Sequence, residues 1–365
     1  MFNLRQYVPI LKWKRAEQGA LKVLSEESKE HITPLIQLVM PKYEAYEEID
    51  DVVKKFEEEL PDLAGKIIDV WGTNPIFLDV SLLFTVPLKA KSLIEIATNG
   101  NKLGGVFIPV IHLGDDQPIK SSAIMLAKDS GNGLCLRLIC TDFTDLNKLY
   151  SEINDLLKSS RLPESDIDLL IDIKETGENG DKYNKYLLLS QNIPNLQAWR
   201  TYIFSSGAFP EDLTQCKRDE ENLIPRVDWQ NWKRYISDNK LQRKPTFSDY
   251  AIQYPIYREV TQFFHPTTSI KYTLDENWLI MKGERQKFDN YLASAKLLIE
   301  DKRFYGDNFS DGDKYIAEKA KHFEAYMEAK NKGQDIKGTG STETWLKAGI
   351  NHHLTLVAHQ VANLT

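Results

Sequence analysis

Short apolar runs recur along the chain at residues 7–12, 33–39, 76–80, 105–112, 134–140, 168–173, 198–204 and 247–254. Their length suits β-strands, and their near-continuous apolar character suits strands covered on both faces. Between them, at 16–28, 43–60, 88–99, 146–159 and 229–238, apolar residues return at three- and four-residue spacing, the pattern of amphipathic helices. Eight strands alternating with helices predict an α/β fold, a (β/α)8 TIM-like barrel over residues 1–267. A doubly wound open sheet is the alternative arrangement of the same elements.

From about Thr268 this rhythm breaks. Residues 269–273 and 278–281 are set to pair as a hairpin around Asp275, Glu276 and Asn277, and helices are expected over 285–300 and 312–332. A glycine-containing loop at 332–342, read as mobile, precedes a final helix. Residues 268–365 are therefore expected to form a C-terminal helical extension that packs over the barrel mouth. The turn-rich segment from Tyr305 to Asp313 superficially resembles a calcium loop, but the terminal glutamate of that pattern is missing.

Composition narrows the classes. A chain of 365 residues that is 42% hydrophobic can bury a barrel-sized core. A formal charge of -7 gives no global attraction to nucleic acid or anionic lipid, although it leaves room for a local basic cleft. Cys135, Cys140 and Cys216 read as reduced thiols. The opening segment has no long apolar stretch, and no apolar run reaches the ~18 residues of a membrane span. A cytoplasmic protein with no membrane partner is expected.

In a barrel of this type, function sits where the strands end at their carboxyl side. The first run leads into Lys12, Trp13, Lys14, Arg15 and Glu17, and cations at a strand exit can clamp phosphate. Asp79 ends the third run, His112 the fourth, and Asp172 with Lys174 the sixth; Asp142 follows the fifth, Ser205 and Ser206 follow the seventh, and Asp249 and Tyr250 lie in the eighth. Arg137 lies among apolar neighbours inside the fifth, where an unpaired charge would be costly, so a carboxylate partner is expected. Plainer readings stand beside these: solvated cations for Lys12, Lys14 and Arg15, helix caps for Asp79 and Asp172, a structural imidazole for His112. Trp229 and Trp232, three apart, suit a packing face better than a base-stacking platform.

The tail is the densest candidate. Four of the seven histidines lie beyond residue 320, and His352 and His353 are adjacent. Side by side on a helix they cannot both face one core, so at least one should project toward solvent, a ligand or another element. With Asn351 and Trp345 they are expected to meet Lys12, Lys14, Asp79 and Asp172 at the barrel mouth.

Both ends of the chain carry a resemblance. Tyr7-Val8-Pro9-Ile10-Leu11-Lys12-Trp13-Lys14-Arg15-Ala16-Glu17, followed by Ala20-Leu21, resembles the opening of the beta-protein family, a phage and bacterial group whose name carries no reaction. Trp345 and then Gly349-Ile350-Asn351-His352-His353 with Thr355 are similar to that family's ending, and Asp311-Gly312-Asp313 lies where it has a short Gly-Asp turn. Ala16 departs from the glycine the family usually has after the basic run. The resemblance covers both ends and implies a role in phage–host conflict, including antiviral defence.

Three functional readings follow. In the first, the protein is a hydrolase acting on phosphoester bonds of a phosphodiester or nucleotide: His352, His353, Asp172 and Asp79 are catalytic, and Lys12, Lys14, Arg137, Asn351 and Trp345 bind the anionic substrate. A divalent cation would suit the carboxylates, but no His-x-x-x-His or Cys-x-x-Cys spacing signals one. In the second, the barrel is a non-catalytic binding module for nucleic acid, a nucleotide signal or a partner protein. In the third, the tail is structural. No Walker-type phosphate loop or Gly-x-Ser-x-Gly elbow occurs, which disfavours nucleotide-driven motors and serine catalysis.

Overall fold

The computed structural model describes residues 4–218, 220–258, 267–334 and 336–364; the start of the opening segment and Asp335 of the 332–342 loop lie outside them. Strands β1 (Ile10–Lys12), β2 (Leu35–Gln37), β3 (Ile76–Asp79), β4 (Phe107–Ile111), β5 (Leu134–Ile139), β6 (Ile167–Glu175), β7 (Thr201–Gly207) and β9 (Thr246–Ser248) form one parallel sheet in that order. Tyr7 bridges Phe247, and the Val8 and Ile10 amides donate to the carbonyls of Phe247 and Asp249 at 3.0 and 2.8 Å. The first and last strands therefore meet, and the sheet is a nearly closed barrel. This meeting excludes the doubly wound alternative.

The helices outside the barrel follow the strands: α1 (Arg15–Lys22) with α2 (Glu26–Glu30), α3 (Ile49–Trp71), α4 (Val86–Lys102), α5 (Gln117–Ser130), α6 (Leu146–Ser160), α7 (Asp181–Ser190) and α8 (Val227–Ile236). Helices α5 and α7 escape the apolar periodicity, because α5 turns a face of small Ala and Ser residues to the barrel and α7 buries just three side chains. Along each strand, side chains alternate between two cores, as the period of a strand requires. Val8, Ile10, Leu35, Phe77, Ile108, Val110, Cys135, Leu170 and Ile203 fill the barrel. Leu11, Ile36, Leu78, Leu136, Ile171 and Phe204 face the helices. Trp229 and Trp232 are buried on that outer face, stacked at 5.1 Å and packed against Phe247.

The chain beyond the barrel adds strands β10 (Thr267–Thr273) and β11 (Asn277–Arg285), then helices α9 (Asp289–Glu300), α10 (Asp311–Asn331) and α11 (Thr342–Ala362). The hairpin takes β8 (Asn222–Pro225), from the connection between β7 and α8, as its third strand. Extension and barrel thus share a sheet.

Helix α11 does not lie across the mouth. It packs against α1, α2, α10 and β10, and Ile350, Leu354, Val357 and Val361 join the core outside the strands. It supplies the helix that the barrel lacks after β9. Its physical reason is composition: α11 is buried around most of its circumference, so it must be enclosed between two layers, the barrel on one side and the hairpin with α10 on the other. Gly349 permits this approach, since a Cβ there would stand 2.8 Å from the Lys271 carbonyl oxygen. None of the described helices is long and apolar enough to cross a membrane.

Candidate functional site

Alternation inside the barrel sets the site. Two residues past the apolar layer, six strands carry a polar group on the same inward face: Lys12 after Ile10, Gln37 after Leu35, Asp79 after Phe77, Arg137 after Cys135, Asp172 after Leu170 and Ser205 after Ile203. Register keeps Lys12 opposite Gln37, Gln37 opposite Asp79, and Asp172 opposite Ser205, while Arg137 starts one layer lower, opposite Leu170. His112 follows β4, and Tyr250 follows β9 on the inward side.

Arg137 is the hub. Its Nε and Nη2 donate to Asp172 Oδ2 at 3.1 and 2.6 Å, its Nη1 donates to Asp79, and its Nη2 reaches the Tyr250 hydroxyl at 3.2 Å. Gln37 Nε2 donates to Asp79 Oδ2 at 2.9 Å. The Tyr250 hydroxyl donates to Asp172 at 2.7 Å and accepts from Lys174 Nζ at 2.9 Å; Lys174 also pairs with Asp172 at 3.0 Å. Both expected carboxylates of Arg137 are thereby identified, and both also receive backbone amides, from Ser81 at 2.7 Å and from Lys174 at 3.0 Å.

Lys174 reaches this position through an unusual backbone. Its φ is +62°, in the left-handed region, and the β6–β7 register shifts between Asp172 and Glu175. A non-glycine residue there carries strain of about 1–3 kcal/mol, a cost typical of functional sites.

Burial and neighbours set the charges. Burial alone would raise the Asp172 carboxyl, but Lys174 and Arg137 beside it hold it well below the usual carboxylate range. Asp79 is lowered in the same way, burial being outweighed by Arg137 and His112. Burial, and then the nearby Lys174, push the Lys12 ammonium down to about 8. Lys12 is 3% exposed, lies 5.0 Å from the centroid of the Tyr250 ring, and makes no side-chain hydrogen bond or salt bridge among the described residues. Lys174 is also lowered by burial and by Arg137. Burial lowers His112, whose Nε2 is enclosed and has no hydrogen-bond partner among the described residues. The inward-facing Ser205 and Ser248 hydroxyls are likewise buried and, among the described residues, unpartnered.

The structure brings together Lys12, Asp79, Arg137, Asp172, Lys174 and Tyr250, with His112 and Ser205 beside them, and places Lys14 and the candidates of the tail elsewhere. Lys14 sits at the rim, its ammonium 4.7 Å from the Tyr257 ring centroid. Trp345 is buried in the extension, stacked on Tyr291 at 4.8 Å with its indole N–H donating to the Thr339 carbonyl at 2.8 Å. Asn351 ties helices together: its Oδ1 accepts from the Gly312 amide at 2.8 Å and its Nδ2 donates to the Ala20 carbonyl at 3.1 Å. His353 faces the barrel, where Nε2 meets Asp249 at 2.9 Å and Nδ1 meets Thr273 Oγ1 at 3.0 Å; the Tyr7 hydroxyl donates to the same Asp249. His352 faces the opposite layer, with Nδ1 2.8 Å from Asp313 and Nε2 2.8 Å from the Thr273 carbonyl, stacked on Tyr272.

Both histidines are fully buried, so neither projects to solvent. Adjacent residues on α11 point into two different layers, so of the three expected alternatives it is another element that they meet. Asp249 and Tyr7 lie on the outer side of the barrel wall, away from Lys12 and Asp172 on the inside. The two ends of the sequence do meet, through Asn351 to Ala20 and His353 through Asp249 to Tyr7, but they do so on the flank of the barrel.

Asp313 of the turn-rich loop is engaged by Tyr272 and His352, and among the described residues no group of three or more His, Cys, Asp or Glu is arranged to hold a metal ion. Cys135 and Cys216 are buried and Cys140 partly so, all as free thiols.

Fold and site together define a (β/α)8 barrel protein with a charged, inward-facing ring at the carboxyl ends of its strands. Residues 7–359 match the Beta protein family, and the chain belongs to that family. No curated protein matches the sequence.

Proposed function

We propose that the barrel mouth binds an anionic, phosphate-bearing small molecule. The observation that carries this reading is the buried Lys12 side chain, whose ammonium lies near Lys174 and Arg137 and has no hydrogen-bonded acceptor among the described residues. Arg137 pairs with both Asp79 and Asp172 and Lys174 with Asp172, whereas Lys12 has no ion-pair contact among the described residues and feels Glu17 only at a distance. A bound phosphate oxygen would supply the acceptor and relieve the repulsion between neighbouring cations. Nucleotides, nucleotide-derived signals and nucleic-acid ends all present such a group, and phage–host conflict is the setting that the family resemblance implies for them.

Calorimetric titration of the full chain with inorganic phosphate and a panel of nucleoside phosphates tests the reading. Saturable binding is expected, weakened about tenfold or more in Lys12→Met and in Lys174→Met, as loss of a charge-assisted hydrogen bond requires. Equal binding by wild type and both variants would contradict it.

A second reading, hydrolysis of a phosphoester, is supported by His112. Its Nε2, without a partner among the described residues, and the nearby Asp79 carboxylate, which favours the protonated ring, are what a proton-transferring imidazole needs. In this reading the proton carrier is His112 and not the tail histidines, whose ring nitrogens are all engaged by Asp313, Thr273 and Asp249. Asp79 and Asp172 orient cations and stay ionised. Loss of turnover in His112→Asn with phosphate binding retained would support it.

A further inference from the structure

Two lysines share one phenol ring at the mouth, and their surroundings differ. Lys174 lies 5.1 Å from the Tyr250 centroid and is tethered to the Tyr250 hydroxyl and to Asp172. Lys12 lies 5.0 Å from the same centroid and has neither tether. Burial and Arg137 lower Lys174 as well, but its salt bridge to Asp172 favours the protonated amine, a contact that Lys12 lacks. An enclosed amine beside another cation and lacking an acceptor is built to lose its proton, which is how lysine becomes a nucleophile.

We propose that Lys12 is a nucleophilic amine that forms an imine with an anionic aldehyde or ketone. The inference rests on the mouth being an anion site and names the chemistry of what binds there. The Lys12 Nζ lone pair attacks the carbonyl carbon; the C=O π bond opens, the oxygen takes a proton, and nitrogen releases one, giving a carbinolamine. Loss of the hydroxyl as water, with a proton supplied to it, leaves a protonated C=N bond, and release of the nitrogen proton back to the donor gives the imine. Overall, amine and carbonyl give imine and water, with no oxidant or reductant. The Lys174 ammonium is the proton donor on hand, since it is held over the same ring. Glu17, buried nearby and raised above its ordinary range by that burial, is a second carrier of a proton; it is positioned by Gln253 Nε2 donating to its Oε1 at 2.7 Å. Tyr250 keeps its own proton, since burial and Asp172 raise its hydroxyl well above its ordinary range.

The test uses the full chain, pyridoxal 5′-phosphate and phosphate-free pyridoxal as carbonyl probes, borohydride to reduce any imine to a stable secondary amine, and peptide mapping by mass spectrometry. The expected result is an adduct on Lys12, formed about tenfold or more faster than on the exposed Lys240, as an amine with a lowered proton affinity should react. Its rate should rise with pH to an inflection near 8, and Lys174→Met should move that inflection upward, because removing a like charge restores the proton. A packing role for Lys12 would produce neither the adduct nor the shift. Lys12→Met and Lys12→Arg, checked for folding by circular dichroism, should lose the adduct. An adduct confined to exposed lysines, in protein that still binds phosphate, would overturn the imine and leave the anion site standing. An adduct on Lys12 formed equally by both probes, in protein that binds no phosphate, would support the nucleophile and overturn the anion site. No Lys12 adduct together with no phosphate binding would overturn both.

Discussion

Arg137 shows how one residue sets the character of the barrel interior. A guanidinium enclosed inside the barrel above the layer of Cys135 and Leu170 would be prohibitively costly alone, and Asp79, Asp172 and Tyr250 satisfy it from three other strands or their ends. Arg137→Met should leave two buried carboxylates without their main partner and cost about 3–5 kcal/mol in denaturant unfolding. The sign with pH follows from Asp172. Its folded carboxyl is lowered, so its stabilisation is fully present above the unfolded value of 3.8 and is lost as pH falls through the folded value. In Arg137→Met the folded carboxyls rise, so the penalty should be largest near neutrality and shrink below the unfolded value. A variant equally destabilised at both ends of that range would point to lost packing in place of lost charge. Much of this cluster was legible in the sequence, because Lys12, Asp79 and Asp172 end apolar runs and Arg137 interrupts one. Gln37 and Tyr250 were not legible as partners, since nothing in a single strand shows which residue faces it across the barrel.

At the scale of elements, α11 carries the chain's C-terminal signature, and the structure gives each of its residues a docking task. Trp345 fills the core of the extension, Gly349 admits β10, Asn351 joins α1 to α10, and His352 and His353 bond to opposite layers. The adjacency argument expected at least one histidine to turn toward solvent, a ligand or another element, and the third of these is what the structure shows. The lack of amphipathic period is the signal that singles it out, since an element buried around most of its circumference has no solvent face. Asn351→Ala should strand the Gly312 amide and the Ala20 carbonyl and cost about 2–4 kcal/mol, since each buried group left unpaired is worth about 1–3. Gly312→Ala should destabilise too, because its Cβ would stand 2.2 Å from the Ala348 carbonyl oxygen and force α10 from α11. Thermal melting of the two variants checks both. Unchanged melting would mean that α11 is not held in this way.

For the whole molecule, the barrel and the extension depend on each other. The C-terminal helix completes the barrel wall, and a strand from the β7–α8 connection completes the extension's sheet. Truncation after Ser341 should therefore expose the outer face of β1 and β9 and abolish cooperative folding of the barrel. In the full chain, near-ultraviolet signals from Trp345 in the extension and from Trp232 against the barrel should be lost at one denaturant midpoint, as a two-state transition requires. Single-tryptophan replacements assign the signals, and separate midpoints would show two independent units. The fold class was legible at this scale because eight apolar runs set the strand count. The position of the extension was not, since sequence order does not show which surface of a barrel a distant helix will cover.

The account rests on the barrel mouth, and not the Asn-His-His segment, being the place where a ligand is held. A crystal structure of the full chain grown with a nucleoside phosphate tests this most directly. The account predicts phosphate density within hydrogen-bonding reach of Lys12 Nζ and Lys174 Nζ, with the His352–Asp313 and His353–Asp249 contacts intact. Density on the histidines, or on a surface remote from Lys12 with none at the mouth, would contradict it.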